Sequence, residues 1–290
     1  MIESIATYES AETRYVVVNG HRIAYRRLGQ QDGVPLLHLL HFGGNMDHVD
    51  PAVANGIAAR QPLILFDAPG IGRSEGRVPW INKIDVFGYS MGGCVAQMLA
   101  LNHPHLVRRL ILVGTVPSIG KGVTPPPAAS FAVYRRAKTV EEHRQAFIGF
   151  SFHPCEKSQK AAQKAWAKVI VSRPDRIVDV GSNARRGQLF SFAKFMKPEL
   201  AHEGSYDRLH ELKMHVLLVK GSNDVVLDDS TFRTMINMMS NACVTSHIYP
   251  DSGHACHFQY PEEFVRLAVD FLEAPLGVGR SQGKTRSAKL

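Results

Sequence analysis

The sequence predicts an α/β protein with a mostly parallel sheet covered by helices on both faces. Three observations carry this reading. Apolar runs of strand length alternate with helix-length stretches along most of the 290 residues. Runs such as VPLLHLLHF (34–42) are apolar throughout, as strands buried on both faces are. Near the N-terminus, YVVVNGHRIAYRRLG reads as two strands joined at Asn19-Gly20, a strong hairpin signal, which adds an antiparallel edge.

The elements follow in order. After the hairpin and the 34–42 strand, DPAVANGIAAR reads as a helix with Asp50 as N-cap and Pro51 in the first helical position. PLILFDAPGIG is a strand that ends in a glycine loop. KIDVFGYS is a strand, MGGCVAQMLALNHP a helix closed by Pro104, and RRLILVGT the next strand. From Ile119 to Asp207 the alternation stops. Pro125, Pro126 and Pro127 open this stretch, helical segments such as VEEHRQAFIGF follow, and the spacing predicts a helical insertion. Alternation resumes with strand MHVLLVKG, helix DSTFRTMINMMS, strand ACVTSHIYP and helix PEEFVRLAVDFLE. The core therefore spans 1–118 and 208–275, the insertion 119–207, and a basic tail 276–290.

Composition narrows the function classes. With 44% hydrophobic and 21% charged residues the chain is of the globular type, neither disordered nor fibrous. The four cysteines, Cys94, Cys155, Cys243 and Cys256, show no paired spacing, so reduced thiols and no metal site are expected. The first residues lack the basic-then-apolar pattern of a signal peptide. No apolar run approaches the ~20 residues of a membrane helix. Net charge is +8, but Arg280, Lys284, Arg286 and Lys289 place half of it in the tail. No nucleic-acid motif accompanies it, so no nucleic-acid partner is expected. The tail ends Ala288-Lys289-Leu290, which keeps the small, basic, large-apolar order of the peroxisomal address Ser-Lys-Leu. Peroxisomal localisation through the import receptor is the expectation.

In parallel sheets ligands bind beyond the carboxyl ends of the strands, so the residues there decide the chemistry. Gly88-Tyr89-Ser90-Met91-Gly92 lies between a predicted strand and a predicted helix. Glycines two before and two after remove the side chains that a sharp serine turn would crowd. Asp224 follows one strand in Gly221-Ser222-Asn223-Asp224, and His254 follows the next in Asp251-Ser252-Gly253-His254. Each alone is better read as a turn or loop residue. Together, Ser90, Asp224 and His254 stand in the chain order of one version of the nucleophile–acid–base triad. A serine hydroxyl needs a histidine to take its proton, and the acid orients that histidine. His41-Phe42-Gly43-Gly44-Asn45 follows an earlier strand. Its glycines allow backbone N–H groups to approach an oxyanion, with Gly43 (alternatively Phe42) and Met91 as donors. Two histidines three apart, His254 and His257, are weak evidence for a metal. Arg73 and Ser74 read better as loop-packing residues than as phosphate ligands.

These residues resemble the α/β hydrolases. The resemblance covers Arg14 to Glu273 and rests on His41-Phe42-Gly43-Gly44, Asp67-Ala68-Pro69-Gly70-Ile71-Gly72-Arg73-Ser74, the Ser90 elbow, Gly221-Ser222-Asn223-Asp224 and Gly253-His254. It implies an eight-stranded sheet with a helical lid, here 119–207. It also implies a serine hydrolase that cleaves a small-molecule ester or thioester through an acyl-enzyme, with no cofactor. A serine rather than an aspartate at the elbow argues against epoxide hydrolases and haloalkane dehalogenases. With Ala288-Lys289-Leu290, the chain is also similar to the peroxisomal hydrolases of fungal host-selective toxin clusters of the AK-toxin type, which implies a place in secondary-metabolite biosynthesis. Two alternatives remain open at this point: a non-catalytic binding protein of the same fold, and an acyltransferase using the same triad.

One feature departs from the family. Where the family has a helix between the Asp67 strand and the Ser90 strand, this chain has only Glu75 to Asn82. Eight residues with Gly76 and Pro79 are too few for a helix and its turns. The expectation is an uncovered apolar sheet face and an aggregation-prone or weak enzyme. A soluble monomer with a cooperative, high-temperature melt is the result that refutes it.

Overall fold

A computed structural model describes residues 5–18, 20–30, 32–41, 44–75, 84–171 and 182–275. Strands β1 (Arg14–Val18) and β2 (His21–Leu28) form the N-terminal hairpin. Gly20 takes φ +82°, a conformation open to glycine and costly to most residues, which suits so tight a turn. β3 (Leu36–Leu39) and α1 (Pro51–Ala58) follow. Asp50 caps α1, accepting the Ala52 N–H at 2.8 Å, and Pro51 opens the helix. Next come β4 (Leu63–Phe66), β5 (Ile84–Tyr89), α2 (Met91–Asn102) and β6 (Val107–Val113). Helices α3 (Ala128–Arg136), α4 (Val140–Ser151), α5 (Glu156–Val171) and α6 (Ser182–Phe195) make up the insertion with two short 3-10 turns. Then β7 (His215–Gly221), α7 (Asp229–Met238), β8 (Cys243–Tyr249), the single turn α8 (Cys256–Gln259) and α9 (Pro261–Glu273) complete the chain.

The eight strands form one sheet in the order β1-β2-β4-β3-β5-β6-β7-β8. β2 pairs antiparallel with β1 and β4, and every other pairing is parallel. The strand pleat sorts side chains onto two faces. Phe87, Ile111 and Leu217 join Val53 and Ile57 of α1 and Phe264 and Ala268 of α9 on one face. Val86, Leu110 and Val216 join Ala96 of α2 and Phe232 and Met235 of α7 on the other. Arg109 crosses this arrangement. Its buried guanidinium donates to the Leu272 and Ala274 carbonyls, which satisfies the open C-terminus of α9.

β4 and β5 lie on opposite sides of β3, so the chain between them must cross β3. Most of the short connection, residues 76–83, lies outside the described residues. On the α2/α7 face nearby, Leu37 and Leu39 are buried, while Ile64 and Phe66 are half-buried. Among the described residues no helix is long and apolar enough to cross a membrane.

Candidate active site

β5 runs straight into α2 through Ser90, and the turn is tight. Ser90 adopts φ 54° and ψ −127°, a strained backbone for any residue with a Cβ. The neighbouring glycines are required by contact. A Cβ on Gly88 would stand 2.6 Å from the Gly93 Cα, and one on Gly92 would stand 2.3 Å from the Leu39 carbonyl oxygen. Ser90 occupies the N-cap position of α2 but does not cap it. Its hydroxyl is turned the other way, to His254.

The structure brings together the three residues that the sequence singled out. His254 Nε2 lies 2.9 Å from Ser90 Oγ, and His254 Nδ1 lies 2.9 Å from Asp224 Oδ1. Ser90, Asp224 and His254 follow β5, β7 and β8, so the parallel sheet delivers all three to one edge. All three are buried. Asp224 Oδ1 also accepts the N–H groups of Val226 and Leu227, at 2.8 and 3.1 Å, which fixes the carboxylate independently of the histidine. The His254 loop is tied in the same way. The Asn223 N–H donates to Ser252 O at 2.9 Å, and the Ala255 N–H donates to Ser151 O at 2.8 Å.

Met91 is the first residue of α2, so its N–H has no partner within the helix and faces the serine end. Gly43 and its alternative Phe42 lie outside the described residues. The loop that carries them is nevertheless anchored on its far side. Asp67, at the end of β4, accepts the Met46 N–H at 2.8 Å and the Arg73 N–H at 2.7 Å. Asp47 is fully buried between Arg26 and Arg73, and the two guanidinium groups hold its carboxyl below the usual range against the opposing effect of burial. Ser74 Oγ accepts the Ala24 N–H at 2.7 Å. Arg73 and Ser74 thus pack the loop, as the sequence suggested.

The insertion roofs the serine. Two narrow cavities meet at Ser90. One is lined by Met91, Cys94, Val116, Leu189 and Phe192, and the other by His41, Tyr89, Tyr134, Phe150 and His254. Phe131 of α3 borders both. The space open to the centre of a water molecule is about 10 Å³ in the first and about 20 Å³ in the second. That is room for a water or so, far below a ligand-sized pocket. The Phe150 ring stands edge-on to the His254 ring, 5.0 Å between centroids.

The groups around the triad are held neutral by burial. Desolvation pushes the Cys94 thiol up to about 11 and raises the Tyr89 and Tyr134 phenols well above their usual range. Burial lowers His38 to about 3 and His257 well below the ordinary imidazole value. His257 sits on α8, buried, with its ring 4.4 Å from the Tyr89 ring and 5.5 Å from the Phe264 ring. Among the described residues no cluster of histidine, cysteine and carboxylate side chains could hold a metal ion.

Sequence reasoning passed over Gly114. It ends β6, beside the nucleophile strand, with φ +52°. A Cβ there would stand 2.9 Å from His254 Nδ1 and 3.1 Å from Asp224 Oδ2. The glycine therefore makes room for the His254–Asp224 pair. Gly114→Ala is expected to lower kcat at least tenfold by displacing the imidazole. Its left-handed backbone should also cost about 1 kcal/mol of stability. Steady-state kinetics beside urea unfolding checks both; wild-type kcat in the variant sinks the idea.

Comparison with known proteins agrees with this fold. The chain is 25% identical to a 2-hydroxy-6-oxo-6-phenylhexa-2,4-dienoate hydrolase of Burkholderia cepacia, over 91% of this chain and 97% of that one. It is 24% identical to a 2-hydroxy-6-oxononadienedioate/2-hydroxy-6-oxononatrienedioate hydrolase of Burkholderia vietnamiensis, over 94% and 99%. Among solved structures, an α/β hydrolase fold protein from Chitinophaga pinensis superimposes with a TM-score of 0.81 at 28% identity, covering 93% of this chain and all of that one. A meta-cleavage product hydrolase shares the fold at a TM-score of 0.66 and 18% identity, covering 89% and 97%. The Hydrolase_4 family profile, serine aminopeptidase S33, matches residues 75–260. That span is more than half of the chain and contains Ser90, Asp224, His254 and strands β5 to β8, so the chain belongs to the Hydrolase_4 family of α/β hydrolases.

Proposed function

We propose that the protein hydrolyses a small-molecule ester or thioester through an acyl-enzyme on Ser90. The observation that carries this reading is the continuous hydrogen-bond relay from Asp224 through His254 to Ser90 Oγ. His254 takes the Ser90 proton as Oγ attacks the carbonyl carbon, and the negative charge that develops on the carbonyl oxygen is met by the Met91 N–H. His254 then returns that proton to the departing alkoxide or thiolate. Water attacks the acyl-enzyme by the same route in reverse and releases the acid and a restored Ser90. Asp224 holds the imidazole with Nδ1 protonated throughout.

A second reading is favoured by the relatives, which are named for hydrolysis of 2-hydroxy-6-oxo-dienoates. The same three residues would serve such a substrate. One experiment separates the two: p-nitrophenyl esters, an acyl-CoA and a 2-hydroxy-6-oxo-dienoate assayed side by side. Turnover of an ester or the thioester with no loss of dienoate absorbance supports the first reading, and the opposite pattern overturns it.

The setting is proposed from the tail. Ala288-Lys289-Leu290 supports delivery to the peroxisome by the import receptor, consistent with a role in fungal secondary-metabolite (toxin) biosynthesis. The tail lies outside the described residues. Fusing residues 276–290 to a fluorescent protein should give punctate fluorescence that colocalises with a peroxisomal marker. Diffuse fluorescence from the intact tail argues against this localisation.

A further inference from the structure

Among the described residues, Ser90 and Phe131 are the two that line both cavities of the site. Ser90 is the point at which the cavities meet, and Phe131 of α3 is the wall between them. The Phe131 ring is packed from either side. Its centroid lies 5.5 Å from the Phe150 ring, which lines one cavity, and 5.8 Å from the Phe192 ring, which lines the other. These ring contacts are held by dispersion, so the ring moves without breaking a hydrogen bond.

The proton path assigns the two cavities. His254 returns the proton to the departing oxygen or sulfur, so the cavity that it lines with Tyr134, Phe147 and Phe150 receives the leaving group. The cavity of Cys94, Val116, Leu189 and Phe192 is left for the acyl chain. The space open to the centre of a water molecule is only about 20 Å³ on the first side and about 10 Å³ on the second. An ester therefore has to displace a wall on both sides of Ser90. Phe131 is the side chain whose movement enlarges both.

The chain on either side of α3 is tied down. Before the prolines, the Thr124 N–H donates to Thr231 Oγ1 at 2.9 Å. After the helix, Thr139 Oγ1 accepts the Glu142 N–H at 3.2 Å, and the Glu142 carboxylate accepts the Thr139 N–H at 3.0 Å. Between these points α3 starts at Pro127 with no side-chain cap. A short helix between two fixed ends, seated on aromatic rings, is free to tilt as a unit, as lid elements do.

We propose that Phe131 is the specificity-determining partition of the site, and that its displacement with α3 sets how large an ester is admitted on the acyl and leaving-group sides together. This rests on the proposed reading of Ser90 as the nucleophile of an ester or thioester hydrolase. It adds the class of substrate: uncharged, apolar groups on both sides of the scissile carbonyl, because a charge among these aromatic and aliphatic walls would be desolvated.

Two ester series read the two sides separately. p-Nitrophenyl acetate against p-nitrophenyl octanoate varies the acyl chain, and ethyl butyrate against phenethyl butyrate varies the leaving alcohol. Phe131→Ala is expected to shift kcat/KM toward the larger member about tenfold in both series, and Phe131→Trp to shift it the other way. The ring is half-buried and alanine favours a helix, so α3 should still form; Phe131→Leu is a second, milder variant. Phe192→Ala should shift the acyl series alone. Val133→Ala, exposed on the same helix, should leave both ratios within about twofold. Ratios unmoved in both Phe131→Ala and Phe131→Leu overturn the proposal, as does a shift in one series only or one that Val133→Ala reproduces. If wild type turns over no ester, labelling of Ser90 by ethyl and dodecyl fluorophosphonates reads the partition instead. A dodecyl-to-ethyl rate ratio that rises in Phe131→Ala supports it, and an unmoved ratio overturns it. Folded wild type that takes neither probe ends the nucleophile reading, and the proposal with it.

Discussion

Ser90→Ala is expected to lower kcat on the order of 10⁶-fold, with KM little changed. Removing the nucleophile disables every covalent step, while the cavity walls that bind substrate stay in place. Fluorophosphonate labelling, present in wild type, should vanish. His254→Ala should lose a comparable factor. Asp224→Asn should lose about 10⁴, because the amide can favour the wrong imidazole tautomer without moving the ring. Ser90→Gly separates catalysis from folding. The backbone at φ 54° and ψ −127° is strained by a Cβ and open to glycine. Relief of that strain should outweigh the added freedom of the unfolded chain and stabilise the fold by about 1 kcal/mol. For a chain of this size that is a rise of about 2 °C in Tm. A dead enzyme that melts higher would show that the elbow is held in place by the surrounding sheet for the sake of the serine. Full labelling in Ser90→Ala would end the assignment.

The strands and the three residues at their ends were legible because each left a pattern of its own. Eight apolar runs announced eight strands, and the Asn19-Gly20 hairpin announced the antiparallel edge. Gly88 and Gly92 flanked Ser90 at a spacing that a sharp turn requires. Asp224 and His254 were legible only jointly, by their order and by their place after successive strands. Tyr134 and Phe150 gave no such signal. Two aromatic rings on amphipathic helices of an insertion look like ordinary helix residues until α3 and α4 fold over Ser90. Gly114 left a fainter trace. A glycine closing the strand next to the nucleophile strand is the position at which a side chain would meet the catalytic histidine, and RRLILVGT carries it. His38 lies within the strand that the sequence predicted to be buried, and β3 is covered on both faces, with the His38 ring stacked 4.3 Å from the Phe87 ring.

Two buried imidazoles lead to the other large effect, a loss of stability in mild acid. His38 is buried, and burial, aided by the nearby His41, lowers it to about 3. Burial lowers His257 well below its ordinary value, with His38, His254 and His41 adding to the effect. Below the unfolded value of 6.5, the unfolded chain binds protons that the folded chain refuses. Stability is therefore full above pH 6.5 and falls as the pH drops toward the folded values. Each histidine contributes a slope of about 1.4 kcal/mol per pH unit. Between pH 6.5 and pH 5 the pair should cost about 3 kcal/mol, a large share of the ~5–15 kcal/mol that holds a typical domain together. Asp50 and Asp67 act in the opposite sense, because burial raises them and protonation then favours the folded state. Their contribution grows as the pH falls from the raised folded value toward 3.8, so it offsets part of the histidine loss. Urea unfolding at pH 7 and pH 5 measures the loss. His257→Phe keeps a ring against Tyr89 and Phe264 and removes one titration, so it should remove about half of the histidine loss between the two pH values. An unfolding free energy that stays level from pH 7 to pH 5 would mean that these imidazoles can be protonated where they lie. The aromatic floor beneath Ser90 would then be wetter than its packing implies.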